Sequence, residues 1–214
     1  MVINIQQATK RFGSQTVLDQ VDLQIQAGER VILLGQNGAG KTTLLRCLLG
    51  DYQLDHGSVS IMGFNPSTER EKALKNVAFI PQLPPPLPFS LKALWDFATN
   101  TSGLDREEAF EYCHRFDLPI EEQLNKPFNK LSGGMKQKVL ASLAFARHCP
   151  IMLFDEPTAN LDVKGRETFA EIIREPLFAH TTMIFISHRL EELQTTLDRA
   201  LYMDLGRIVK DEAL

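Results

Sequence analysis

Long apolar runs are absent from this chain of 214 residues. Nothing in it approaches the ~18 apolar residues of a membrane-spanning helix. The first residues, Met1-Val2-Ile3-Asn4-Ile5-Gln6, have neither the basic nor the apolar region of a secretory signal. The expectation is a soluble, cytoplasmic chain. Cysteine is scarce: Cys47, Cys113 and Cys149 are odd in number and match no zinc or redox spacing, which excludes a disulfide framework. Cys47 lies in an apolar helical stretch and reads as a small buried hydrophobe. Neither sign of charge dominates, since 23 Lys and Arg against 27 Asp and Glu leave a net charge of −4. That balance argues against a nucleic-acid partner.

What the chain does have is two stretches suited to phosphate. Gly35-Gln36-Asn37-Gly38-Ala39-Gly40-Lys41-Thr42 follows the apolar run Val31-Ile32-Leu33-Leu34 and fits the phosphate-loop pattern G-x-x-x-x-G-K-[ST]. Its glycines let the backbone turn tightly, and its N–H groups line a nest for oxyanions. Lys41 adds a charge for the β- and γ-phosphates, and the Thr42 hydroxyl suits Mg²⁺. A helix running through Thr42, Thr43 and Leu44 to Leu49 would point its positive end at the anion. The second stretch, Leu131-Ser132-Gly133-Gly134-Met135, opens another helical run. One nucleotide rarely needs two such helix starts from one chain.

Periodicity predicts strands at Val2–Gln6, Thr16–Gln26 (with Val17, Val21, Leu23 and Ile25 inward) and Val31–Leu34. A short strand near Ser58–Met62, a helix near Glu69–Lys75 and a strand at Val77–Ile80 follow. Pro81 to Pro88 can be neither helix nor central strand and reads as a stiff connector. Beyond it the pattern is helical. Ser90 caps a helix carrying Leu91, Leu94, Trp95 and Phe97, another covers Leu104–Phe116, and Ser132 caps one reaching about His148 with Met135, Val139, Leu143 and Ala146 apolar. Alternating strands and helices resume with a strand at Ile151–Phe154, a helix at Lys164–Phe178, a strand at Thr181–Ile186 and a helix at Arg189–Leu197. Strands near Ala200–Met203 and Arg207–Lys210 finish the chain. The class is α/β, with a nucleotide core interrupted by a helical insertion at roughly 83–147.

Ile151-Met152-Leu153-Phe154 ends in two acids, Asp155 and Glu156. A buried strand delivers its last residues to the carboxyl edge of the sheet, where ligands bind in open α/β folds. Asp155 is suited to Mg²⁺, and Glu156 to orienting or deprotonating an attacking water.

With these motifs in place, the chain resembles the ATP-binding cassette (ABC) ATPases over essentially its whole length. Leu131 to Met135 looks like the family signature, and Gln82 like the Q-loop glutamine. Pro157-Thr158-Ala159-Asn160-Leu161-Asp162 looks like the D-loop, His188 like the switch histidine, and Phe12 like the A-loop aromatic. The resemblance implies a P-loop NTPase with a RecA-like core, an antiparallel β subdomain and a helical signature subdomain. Residues 1–214 would form one ABC ATPase domain, with 1–82 and 148–214 as catalytic core and 83–147 as helical subdomain.

The resemblance further implies that Glu156, His188 and Lys41 are catalytic and that Thr42, Gln82 and Asp155 serve Mg²⁺. ATP would be held by Phe12, Val17, Gly35, Gln36, Asn37, Gly38, Ala39, Gly40, Lys41, Thr42 and Thr43. Ser132, Gly133 and Gly134 would face the γ-phosphate on a partner subunit's loop, so that ATP glues a head-to-tail pair, a homodimer being workable. Integral membrane transporter subunits are the implied partners, with the chain peripheral on the inner face of the cytoplasmic membrane. Met135 stands where the commonest signature has Gln, which favours export over import. The rival is a non-transport ABC protein acting on nucleic acid or ribosomes. A P-loop kinase or GTPase fits less well, because the guanine motif N-K-x-D is missing.

Overall fold

A computed structural model describes residues 1–187 and 194–214. The chain divides into two units, one of residues 1–77, 150–155 and 179–214, the other of 78–149 and 156–178.

The first unit holds two sheets. In one, β1 (Ile3–Phe12) pairs antiparallel with both β2 (Gln15–Ile25) and β4 (His56–Ile61). The other contains β3 (Arg30–Leu34), β6 (Ile151–Asp155), β7 (Thr182–Ile186), β8 (Arg199–Asp204) and β9 (Arg207–Ala213), in the order β6-β7-β3-β8-β9. All of these pairings are parallel except that of β9. Every residue of β6 and β7 is buried. That burial accounts for their unbroken apolar runs, since parallel strands covered on both faces need no alternation. Ile32 lies level with Phe185, and Leu153 with Ile184, so β3, β6 and β7 bring their carboxyl ends to one edge. Helices α1 (Lys41–Leu48) and α2 (Arg70–Leu74) belong to the same unit.

Two strands depart from simple alternation. β1 continues to Phe12 instead of stopping at Gln6, because Gln7 adopts a left-handed conformation (φ 49°) and shifts the register. Gln20 (φ 53°) does the same in β2. Leu18 is thereby the fully buried residue, and Val17 is only half-buried. Such bulges add a residue to one strand and reverse which side chains face inward.

Strand β5 (Val77–Ile80) crosses from the first unit into the second. The second unit is built on α3 (Leu91–Ser102), α4 (Arg106–Arg115), α5 (Gly133–Phe145) and α6 (Val163–Arg174). Each begins on a side-chain cap, from Ser90, Asp105, Ser132 and Asp162 in turn. Each cap satisfies amide N–H groups that the first helical turn leaves without partners. Phe145 centres the core, its ring 5.4 Å from Phe169, 5.5 Å from Phe178 and 5.6 Å from Tyr112. α6 ends at Arg174 because Pro176 cannot continue it, and Pro176–Phe178 is a short 3-10 turn rather than more helix. α5 ends at Phe145, short of His148. Phe97 is 63% exposed, so only Leu91, Leu94 and Trp95 of α3 enter the core. Residues 81–88 form no helix or strand, as their prolines dictate.

Candidate nucleotide site

The phosphate loop joins the end of β3 to α1 in the first unit. Its tightness comes from close backbone packing. A Cβ on Gly35 (φ 151°) would stand 2.2 Å from the Met203 carbonyl oxygen. One on Gly40 (φ 104°) would stand 2.7 Å from the carbonyl of Val17. Val17 therefore borders the loop through its backbone. The Gly206 amide donates to the Ala39 carbonyl at 3.1 Å and holds the loop from the other side. Gln36, Asn37 and Gly38 remain exposed at the rim.

Lys41, only 7% exposed, folds its Nζ over the loop and donates to the carbonyls of Gly35 (2.6 Å) and Gln36 (2.9 Å). α1 differs from α3–α6 in having no side-chain cap at its N-terminus among the described residues. Its N-terminal amides lack a side-chain acceptor and suit an anion.

Thr42 and Asp155 meet beside this loop. Asp155, the last residue of β6, is 4% exposed, and its carboxylate accepts a hydrogen bond from the Thr42 hydroxyl. Burial pushes the Asp155 carboxyl above the usual carboxylate range, against the lowering pull of Arg46, the Thr42 hydrogen bond and Lys41. Among the described residues no group of three or more His, Cys, Asp or Glu is placed to hold a metal ion. A hydroxyl and one carboxylate beside a phosphate loop instead suit a hard cation that completes its shell with phosphate oxygens and water. The residues present thus fit Mg²⁺.

Burial makes the charged form of the Asp155 carboxyl costly to the folded state. Because its folded pKa is raised, the stability it forgoes is recovered on acidification through that value and lost again as pH rises. Asp155→Asn, which removes the buried charge, is accordingly expected to raise the melting temperature of the nucleotide-free protein at neutral pH. The same variant should lose Mg²⁺-dependent ATP turnover. Calorimetry and a phosphate-release assay check the two halves.

Phe12 closes β1 and is 44% exposed. It is not a core residue: Tyr52 meets its ring edge-on at 5.2 Å and the Lys10 ammonium lies 5.3 Å from its centroid. An aromatic held at the surface in this way is suited to stacking a base. Cys47, behind the loop on α1, is 1% exposed, and burial pushes its thiol up to about 11.

The second unit carries Gln82, Ser132, Gly133, Gly134 and Glu156. The chain passes into it after Asp155, and Glu156 stands half-buried in a left-handed conformation (φ 49°). Gln82 is exposed, and its backbone carbonyl accepts a hydrogen bond from Asn160 Nδ2 at 3.3 Å. Ser132 caps α5 by accepting from the Met135 amide at 3.2 Å. A Cβ on Gly134 would lie 2.9 Å from the Asn160 carbonyl oxygen, so the signature loop and the 157–162 segment pack backbone to backbone. His188 lies outside the described residues. Two residues not singled out by their sequence context also take part: Tyr52, which flanks Phe12, and Gln137, buried on α5. The only hint of the latter is a glutamine in a helix whose later turns are otherwise buried and largely apolar.

Fold and loop together define a P-loop nucleotide-binding ATPase. The family model for ABC transporters matches residues 18–159. Among curated proteins, the chain is 31% identical to the uncharacterized ABC transporter ATP-binding protein YdbJ of Bacillus subtilis, over all of this chain and 70% of that one. It is 33% identical to the sn-glycerol-3-phosphate import ATP-binding protein UgpC 1 of Rhizobium johnstonii, over 96% of this chain and 57% of that one. The Nod factor export ATP-binding protein I of Burkholderia thailandensis is 30% identical over 99% of this chain and 70% of its own length. The chain spans only 44% and 45% of two putative ABC transporter ATP-binding proteins, from Methanosarcina mazei and Treponema denticola.

Among solved structures, the ATP-binding subunit of an ABC transporter superposes with a TM-score of 0.89 at 26% identity, covering 100% of this chain and 90% of that one. A dimeric ATP-binding cassette in a post-hydrolysis state bound to ADP and Pi superposes with a TM-score of 0.83 at 25% identity, covering 99% and 98%. The chain belongs to the ABC transporter family, as an ATP-binding protein.

Proposed function

We propose that this chain hydrolyses ATP to drive an ABC transporter whose membrane-spanning part is a separate subunit. One observation carries the reading: the Thr42 hydroxyl on the buried Asp155 carboxylate, beside an uncapped helix start that Lys41 covers. Lys41 and the amides of residues 35–43 take the phosphates, and the exposed Phe12 face takes the adenine. Thr42, Asp155 and Gln82 are the groups that would hold Mg²⁺, which when bound supplies charge neutralisation on the phosphate oxygens. Glu156 accepts the proton of the attacking water or orients it, and His188 contacts the γ-phosphate. Ser132, Gly133 and Gly134 complete the site of a second, head-to-tail copy, so a symmetric pair makes two equivalent sites.

No helix among the described residues is long and apolar enough to cross a membrane. We assign the membrane-spanning part to separate subunits and place this chain beside them, on the inner face of the cytoplasmic membrane. The proline-stiffened lobe of residues 83–130 is the docking face we assign to them. Relatives named for import and for export both match, at 33% and 30% identity, so the direction, export, rests on Met135 alone. No nucleic-acid partner is expected. Affinity purification from membranes tests the reading. Co-purification with an integral membrane protein whose presence raises ATP turnover is expected, whereas co-purification with ribosomes or DNA would refute it.

A further inference from the structure

Resting on the ATPase function proposed above, we infer that Gln137 is a positioning residue for hydrolysis. With Asn160, its side-chain amide fixes the backbone beside Gln82 and Glu156.

Gln137 is fully buried on α5, one turn beyond the Ser132 cap. Its Nε2 donates to two carbonyls, that of Pro157 at 3.0 Å and that of Pro81 at 3.3 Å. These acceptors lie 20 and 56 residues away in the chain. Its Oε1 is buried and has no hydrogen-bond partner among the described residues. The amide orientation is set by this arrangement, because the flipped amide would turn an oxygen toward two carbonyl oxygens. A buried polar side chain that leaves one atom unsatisfied is an uncommon choice for packing alone. An apolar residue of the same volume would fill the space without that cost.

The acceptors explain the choice. Pro81 immediately precedes Gln82, and Pro157 immediately follows Glu156. Glu156 holds a left-handed backbone (φ 49°), which a residue with a Cβ keeps only where its surroundings impose it. Gln137 anchors the next carbonyl and so helps to impose it. Asn160 Nδ2 adds a second tie, to the carbonyl of Gln82 itself at 3.3 Å. Three segments remote in sequence, the signature helix, the Gln82 segment and the Glu156–Asn160 segment, are thereby joined by two amide groups in one unit. A shift of about 1 Å in a group that orients water is enough to cost a large part of the rate.

The test measures ATP turnover, KM, ATP binding by the monomer and melting temperature for the full chain, Gln137→Met, Gln137→Glu and Asn160→Ala. Gln137→Met keeps the volume and removes the donor. It is expected to lower kcat about 10-fold, with monomer ATP affinity and KM within about twofold of the unsubstituted chain. Gln137→Glu, which turns an acceptor toward both carbonyls, should be lower still. Asn160→Ala alters an exposed side chain, and kcat should fall about threefold with binding unchanged. Gln137→Met with kcat within twofold of the unsubstituted chain overturns the inference. So does a loss that appears in KM or binding instead of kcat. Should the Gln137 variants not fold, Asn160→Ala decides alone: unchanged kcat rejects the role. Absence of ATP turnover in the unsubstituted chain would instead sink the ATPase reading itself.

Discussion

Glu156→Gln should lower ATP turnover by about 100-fold or more while ATP still binds. Glutamine has almost the shape of glutamate, and φ 49° at this position makes the same demand on either residue. What is lost is the carboxylate's capacity to accept a proton or to orient water strongly, which typically contributes 10²–10⁴ in rate. ATP affinity should persist because the loop amides and Lys41, which take the phosphates, belong to a different stretch of chain and are unaltered. With hydrolysis blocked and binding intact, the ATP-bound pair should accumulate. Size-exclusion chromatography with ATP and Mg²⁺ would then show a dimer that the unsubstituted chain forms only transiently. Turnover within a few-fold of the unsubstituted chain would remove Glu156 from its role.

Substitution at the signature should separate binding from turnover in another way. Gly134→Ala drives a Cβ to 2.9 Å from the Asn160 carbonyl, and Ser132→Ala removes the cap on the Met135 amide. The cap is worth about 1 kcal/mol of stability. Neither change alters a residue of the phosphate loop. Both are therefore expected to reduce hydrolysis about 100-fold while the monomer's affinity for ATP changes less than about twofold. Equilibrium binding of a fluorescent ATP analogue, at concentrations too low for pairing, checks the second number. Loss of monomer binding would mean that Ser132 and Gly134 serve a nucleotide on their own chain.

The parts of this molecule that were legible in its sequence are those encoded locally. A phosphate loop is read from eight consecutive residues, and the runs Val31–Leu34 and Ile151–Phe154 are apolar because both faces of their strands are covered. Ser90 and Ser132 cap their helices through contacts only three residues away. Sequence pattern and structure part where one residue changes the phase. A left-handed Gln7 carries β1 on to Phe12, and Gln20 exchanges Leu18 for Val17 as the inward residue. Pro176 ends α6, although the apolar spacing of its segment continues to Phe178. Phe97 has the spacing of a core residue but stands on the exposed side of α3, since exposure depends on what covers a helix and not on its own pattern. Gln137 was illegible for the same reason, as both of its acceptors are distant carbonyls of prolines that no local pattern connects to α5.

In the proposed pair, two half-sites meet only between copies. Lys41→Ala should leave a chain with a defective loop and an intact signature, and Gly134→Ala the converse. Each should be nearly inactive alone. Mixed in equal amounts, half of the pairs would contain one of each chain, and every such pair would hold one complete site of two. The mixture should regain about a quarter of the unsubstituted turnover. If mixed pairs form and turnover stays at the sum of the two separate variants, each chain must build its site alone, and the composite arrangement is wrong.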